Sequence, residues 1–259
     1  MKEETWKTSI TKVEPNKLLL RGYRLDELMG AVTFSQGIFL ALRGTLPTEK
    51  ESKILDAILV SSIDHGVTPP SCLAARIIAS TGAPFNAALA GAILAISKHH
   101  GGAIEDAMEL FQEALSRRKT LKGTHEEAAL AMIQEYRDAG KRLPGYGHRL
   151  HTKDPRSQRL FQMAHELDLA RDYVKVAEAI EAGTEKTLGK RLPLNVDGAM
   201  AALLCEMGFP NQLGNAFFMM ARVAGVIAHI FEEQTTMRPM RHINPKEHVY
   251  EGVPERTLS

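Results

Sequence analysis

Three short segments place titratable side chains at the ends of apolar or glycine-rich stretches. They are Ser-Ile-Asp-His-Gly at 62–66, Pro-Gly-Tyr-Gly-His at 144–148 and Leu-Asn-Val-Asp-Gly at 194–198. The groups they present are His65, His148 and Asp197. Two imidazoles and a carboxylate can move protons at both ends of a carbon–carbon bond when their surroundings bring their pKa values toward neutrality.

Each of these residues also has a purely structural reading. His148 follows Pro144, Gly145, Tyr146 and Gly147, a tight turn whose backbone N–H groups a ligand could approach. Arg156, in Asp-Pro-Arg, follows as a helix starts at Pro155. An arginine there suits a carboxylate held while the histidine works on a neighbouring oxygen; alternatively, this is a helix-start turn with a surface histidine. Asp197 is an N-cap of a helix beginning at Gly198, or a general base lifted toward neutrality by Leu194 and Val196. His65 before Gly66 fits a helix C-cap. His99-His100-Gly101-Gly102 is another helix end, or places an imidazole in a cleft. Arg222 lies inside the apolar run Phe217–Val226, where a cation needs an anionic partner; a bound ligand is the preferred one. Arg238, in Met-Arg-Pro-Met, opens a basic tail. The chain has ten histidines, yet none has HExxH-like spacing, so no metal site is expected.

Helical periodicity dominates the elements that must position these groups. Residues 50–61, 103–118, 125–139, 157–169, 171–188, 198–208 and 211–234 repeat apolar side chains at three- and four-residue spacing. The segment 72–98 is apolar on every face and is expected to run as one helix through the core. Strands are expected only at Ser9–Val13 and Leu18–Arg21, a hairpin about Pro15-Asn16. The fold class is therefore all-α, with a small N-terminal β-hairpin. The whole chain, 1–259, reads as a single domain. A smaller lobe around 125–220 is inserted in a larger one, and 237–259 forms a polar, basic C-terminal arm.

Lys and Arg number 32 against 31 Asp and Glu, a net charge of +1, so no global field draws the protein to nucleic acid or to a membrane surface. Cys72 and Cys205 are far apart in sequence, which fits a reducing, cytoplasmic setting. No signal peptide is visible at the N-terminus, and the apolar window 83–98 is too short to span a bilayer.

Taken in order, the motifs resemble those of the citrate synthase superfamily from about Leu18 to Pro239. Leu-Arg-Gly-Tyr-Arg-Leu-Asp-Glu-Leu at 20–28 and Gly-Thr-Leu-Pro-Thr at 44–48 are similar to its N-terminal signature. His-Gly-Gly-Ala at 100–103, the 144–148 turn with Asp-Pro-Arg, Asn-Val-Asp at 195–197, Arg222 with Gly225–His229, and Arg238-Pro239 follow in the family's sequence. The resemblance implies a large lobe and a small lobe in a helical fold. It implies that Asp197 exchanges a proton with the methyl of acetyl-CoA, that His100 stabilises the enolate, and that His148 serves the oxaloacetate-derived oxygen. It further implies that His65, Arg156, Arg222 and Arg238 hold carboxylates, Arg238 being contributed across a dimer. The backbone of 143–147, with Pro144, Gly145, Tyr146 and Gly147, and Lys190 match regions that contact coenzyme A.

Departures from the synthase pattern carry information. The chain is shorter than an ordinary citrate synthase, and Ser62 stands where synthases commonly carry a histidine. Ile-Asp-His-Gly, Gly-Gly-Ala-Ile-Glu-Asp-Ala and Leu-Asn-Val-Asp-Gly are similar to the C-terminal module of ATP-citrate lyase, and the compact chain resembles stand-alone citryl-CoA lyases. That module generally lacks the histidine matching His100, so His65 is the alternative holder of the enolate. The implied activity is retro-Claisen cleavage of citryl-CoA. A compact citrate or 2-methylcitrate synthase is the alternative, and a non-catalytic subunit that binds CoA esters is a third. The implied partners are a second copy in a homodimer or higher oligomer and a separate citryl-CoA synthetase. Coenzyme A enters as part of substrate and product, with no added cofactor, in the chemistry of the tricarboxylic acid cycle.

Overall fold

The structure is a computed structural model that describes residues 6–147, 152–241, 244–247 and 249–257. The chain enters through a three-stranded antiparallel sheet, β1 (Thr11–Glu14), β2 (Lys17–Leu20) and β3 (Tyr23–Arg24), in that spatial order. Thr11 pairs with Leu20 and Glu14 with Lys17, so the turn falls at Pro15-Asn16 as expected, with Asn16 at φ 57°. The third strand was not anticipated, because two residues are too few to show an alternation.

Eleven α-helices follow among the described residues: α1 (Leu25–Leu28), α2 (Phe34–Arg43), α3 (Glu49–Ser61), α4 (Pro70–Ser80), α5 (Phe85–Leu94), α6 (Ala103–Leu121), α7 (His125–Asp138), α8 (Pro155–Glu166), α9 (Asp172–Leu188), α10 (Val196–Glu206) and α11 (Gly214–Thr236). The all-α expectation holds. Three helices start at the same device, a threonine followed three residues later by Gln or Glu. Thr33 with Gln36, Thr48 with Glu51 and Thr124 with Glu127 form reciprocal capping boxes on α2, α3 and α7.

The chain divides into two compact units. The first comprises 1–63 and 101–222. Its centre is α10, where Val196 and every residue from Gly198 to Cys205 are buried. Helices α6, α8 and α9 pack around it, and α7 packs on α9. Rings of Phe39, Phe209 and Phe217 stack edge to face at 5.2 and 4.8 Å. The second unit comprises 64–100 and 223–259. Its core is built from small side chains, with Ala75 and Ala79 of α4 and Ala88 and Ala92 of α5 meeting Val226 and Ile230 of α11.

Two expectations are corrected here. The segment 72–98 is not one helix: Thr81–Pro84 breaks it, because Pro84 cannot continue α4 and Gly82 takes φ 82°. Nor is it buried all round, since Leu73, Ile77 and Leu94 are exposed. The helix buried on nearly every side is α10. Helix α5, within the 83–98 window, is short, whereas 211–236 is apolar and long enough to cross a bilayer by length and composition. Arg222 and Glu233 within it are buried and paired with protein groups, as in a core helix.

Helix α9 shows how a remote side chain replaces a local cap. Its N-cap residue, Arg171, makes no side-chain cap bond. Instead Oε1 of Glu206, at the end of α10, accepts from the backbone N–H groups of Arg171, Tyr173 and Val174 at 3.1, 2.8 and 3.0 Å. Glu206→Ala is expected to destabilise the protein by about 1–3 kcal/mol, since it leaves three donors unanswered, and Glu206→Gln by less; thermal melting of both variants checks this.

Candidate active site

The loop before α8 and the loop before α10 are laced together by their backbones. Gly147 N–H donates to the Pro193 carbonyl at 2.8 Å, and Asn195 N–H to the Gly145 carbonyl at 3.0 Å. The Asn195 amide adds a bond to the Gly147 carbonyl at 3.0 Å. Two glycines make this possible. A Cβ on Gly145, at φ 80°, would sit 2.7 Å from the Cα of Gly198, and one on Gly198 would strike the Gly145 carbonyl. Tyr146 turns its ring inward, edge to face with Phe111, and its hydroxyl donates to the Ala177 carbonyl at 2.9 Å. Its burial pushes the phenol pKa well up. Of the expected coenzyme A region, then, Tyr146 offers backbone rather than side chain, Pro144 and Gly147 are partly buried, and Lys190 is exposed.

This lacing decides what Asp197 is. The cap of α10 is Asn195, whose side chain accepts from Gly198 N–H at 3.1 Å. The helix starts at Val196, two residues before the expected Gly198, and Asp197 lies in its first turn. The N-cap reading of Asp197 is therefore set aside. Burial lifts its carboxyl above the ordinary Asp range, Arg156 and Arg222 hold that rise back, and Asp154 adds to it. Here the structure brings together three residues that lie far apart in sequence.

Both arginines are aimed by other groups. Asp154, with its side chain fully buried, takes the Arg156 guanidinium bidentately: Nε to Oδ1 at 3.0 Å and NH2 to Oδ2 at 2.9 Å. The same carboxylate accepts from the backbone N–H groups of Arg156 and Val196 at 3.0 and 3.2 Å. A guanidinium has five N–H donors and this pairing uses two, so the fork is fixed while donors remain for an anion. Arg222 is 3% exposed; its Nε donates to the Ser62 carbonyl at 3.1 Å and its guanidinium lies over the Phe218 ring at 4.7 Å. The contact that Ser62 makes is thus with its carbonyl, while its hydroxyl points to the Met200 sulfur at 3.1 Å.

The remaining expected residues belong to the second unit, apart from His148, which lies outside the described residues. His100 is partly buried, and its Nε2 is 2.8 Å from the hydroxyl of buried Ser71 near the start of α4. A two-way backbone bridge with Ser97 holds its main chain. His65 is exposed in a turn in which Asp64 accepts from Gly66 N–H at 2.9 Å. The C-cap reading of His65 is corrected, since α3 ends at Ser61 and is capped by Ser62. Arg238 is exposed, just past the end of α11. Sequence reasoning missed Ser71 and the structural weight of Asp154. Asp-Pro at 154–155 was a readable helix start, whereas nothing near Ser71 marks it as a histidine's partner. Among the described residues no His, Cys, Asp or Glu cluster could hold a metal.

Comparison with known proteins places these features in a family. The family described as "Citrate synthase, C-terminal domain" matches residues 47–245. Citrate synthase of Heyndrickxia coagulans is 30% identical over 81% of this chain and 55% of its own length. The chain spans about half the length of the curated relatives it matches first. Among solved structures, citryl-CoA lyase from Hydrogenobacter thermophilus shares 43% identity with a TM-score of 0.92, covering 99% of this chain and 98% of that one. ATP citrate lyase from Methanothrix soehngenii, solved with citrate and coenzyme A, gives a TM-score of 0.81 over 98% of this chain and 43% of its own; at 22% identity it speaks for the fold alone.

Gly198→Ala is expected to cost about 1–3 kcal/mol and to loosen the 144–147 turn, because the new methyl group meets a carbonyl. A lowered melting temperature with faster amide exchange at Gly147 and Asn195 would bear this out.

Proposed function

The chain belongs to the citrate synthase family, and from that premise we propose that it is a citryl-CoA lyase, cleaving citryl-CoA to acetyl-CoA and oxaloacetate. The observation that carries the reading is the likeness to the Hydrogenobacter thermophilus citryl-CoA lyase, at 43% identity and a TM-score of 0.92, against 30% and 32% identity to curated synthases.

In this reading His148 takes the proton of the tertiary hydroxyl. The carbonyl of oxaloacetate forms as the carbon–carbon bond breaks, and the bonding pair passes into the thioester as an enolate. His65, His100 or both donate a hydrogen bond to the enolate oxygen, an oxyanion-hole role. Asp197, as the acid, protonates the terminal carbon to give acetyl-CoA. Solvent then returns a proton to Asp197 and takes one from His148. Arg156, Arg222 and Arg238 hold carboxylates of the oxaloacetate portion, and the 143–147 backbone with Lys190 meets coenzyme A, which enters only as part of substrate and product.

The electrostatics around Asp197 support its role as acid. A carboxyl raised by burial keeps its proton to higher pH than an ordinary aspartate, and the acid form is the one the cleavage direction requires. Leu73 and Ile77 on α4, and Ile227 and Phe231 on α11, are exposed apolar pairs one helical turn apart, and their burial by a second copy is the homo-oligomer of this reading. Cys72 and Cys205 are both buried, and burial pushes the Cys205 thiol up to about 12; a reducing, cytoplasmic setting remains part of this reading. Cleavage of citryl-CoA also needs a reaction that couples citrate to coenzyme A, and a citryl-CoA synthetase is the functional partner that this reading calls for.

The deciding experiment gives citryl-CoA to the purified protein and quantifies both product pairs. Acetyl-CoA with oxaloacetate is expected; citrate with free coenzyme A would instead make the protein a synthase. Asp197→Asn is expected to lower turnover by about 10²–10⁴-fold while the protein stays folded. Because the folded pKa of Asp197 lies above its unfolded value, wild-type stability falls as pH rises through that window. The variant should accordingly melt a few degrees higher than wild type near neutrality, and no higher below about pH 4. For wild type, kcat of cleavage should fall as pH rises through the raised Asp197 pKa. Arg156→Gln should move that falling limb to higher pH, since it removes the cation that holds the pKa down; a kcat–pH profile of both proteins reads the shift.

A further inference from the structure

The turn that carries His65 is anchored by a series of side chains that the reaction above leaves unused. Gly66 N–H reaches Asp64 Oδ2 at 2.9 Å, closing a turn over His65, and Gly66 itself, at φ 73°, leads the chain out of it. The other oxygen of Asp64 lies 3.0 Å from His229 Nε2. On its far side, His229 Nδ1 lies 3.3 Å from Arg76 NH1. A guanidinium only donates, so Nδ1 is the acceptor, Nε2 carries the proton, and the imidazole donates to Asp64.

Arg76 is itself fixed. It is 5% exposed, and its Nε donates to Glu233 Oε2 at 2.6 Å and its NH1 to Glu232 Oε2 at 2.9 Å. Glu233, 2% exposed, also receives Arg241 of the C-terminal arm at 2.8 and 2.7 Å. His229, Glu232 and Glu233 stand at positions i, i+3 and i+4 of α11, one face of one helix. Buried charges that satisfy each other hold the guanidinium, the guanidinium holds the imidazole, and the imidazole holds the carboxylate under the turn. Burial raises the Asp64 pKa, but the N–H groups of Gly66 and His65 and the His229 contact outweigh it, so the group stays an ionised acceptor.

We propose that His229 is a positioning residue for His65, acting through Asp64 to fix the 64–66 turn. The proposal rests on the citryl-CoA reading for its activity readout and on the geometry of this turn for the rest. His229→Leu removes both hydrogen bonds at similar volume. His229→Gln keeps a donor toward Asp64 and an acceptor toward Arg76. The expected result is a kcat for citryl-CoA cleavage lowered about 10–100-fold in His229→Leu and recovered to within a few-fold in His229→Gln. In a His65→Ala background the same His229→Leu change should add little, as two residues acting through one turn are not additive. Amide exchange at Gly66 should quicken in His229→Leu and slow again in His229→Gln.

An equal loss from His229→Leu in the presence and absence of His65 would overturn the proposal. So would unchanged exchange at Gly66. If His229→Leu fails to fold, Asp64→Asn probes the same contact from the exposed side, and a kcat unchanged by it would equally overturn the idea. Failure of the citryl-CoA reading is a separate outcome: wild type would then cleave no citryl-CoA, and the exchange of Gly66 in the two His229 variants would decide the positioning role alone.

Discussion

A single buried carboxylate organises the first unit. Asp154 has no exposed side-chain surface, and its donors among the described residues include two from the Arg156 guanidinium, the Arg156 N–H and the Val196 N–H. An unpaired carboxylate in that position would cost several kcal/mol, so the side chain exists there only because its donors do. The arrangement starts α8, aims an arginine, and fixes the first turn of α10, where Asp197 sits. One group thus fixes both the Arg156 guanidinium and the helical turn that carries Asp197. Ser157 adds to the junction by donating to the Asp154 and Leu194 carbonyls.

The second unit follows a comparable rule with different residues. Its core of alanines is thin, and the buried Arg76–Glu233 pair lies between α4 and α11. Buried ion pairs contribute little net stability but impose geometry, because each partner is costly to leave alone. Arg241 extends the pair to the C-terminal arm and His229 extends it to the turn at Asp64. Two titratable groups of interest, His65 and His100, are therefore held by neighbours rather than by their own helices: Asp64 under one and Ser71 beside the other.

Helix α11 joins these themes. Its apolar composition by itself would suit a bilayer, yet it carries Arg222, His229, Glu232 and Glu233. Each finds a protein partner, so the apolar residues serve as core and the charged ones as fixtures. The same logic explains Asp197 as a group raised by burial and restrained by two guanidinium groups. Burial raises the carboxyl and the nearby cations hold that rise back.

Much of this could be read from the amino acids. Three- and four-residue spacing marks most of the helices, Pro15-Asn16 marks the hairpin turn, and threonine with Gln or Glu three residues on marks three helix starts, because each is a local rule of backbone geometry. The ordered motifs from 20–28 to Arg238 were enough for the family. What they could not yield was decided by contacts between distant segments. Whether Asp197 or Asn195 caps α10 depends on where the 144–147 turn presses against Gly198. Whether 72–98 is one helix or two depends on a break at Thr81–Pro84 and on faces that stay exposed. That Arg76 pairs with Glu233, or Glu206 caps α9, leaves no periodic trace, since the partners are set by packing and not by spacing. The sequence by itself determined most of the elements and the chemical types at the candidate site. Only the tertiary structure decided which groups are buried, and burial is what sets Asp197 and Arg222 apart from an ordinary aspartate and arginine.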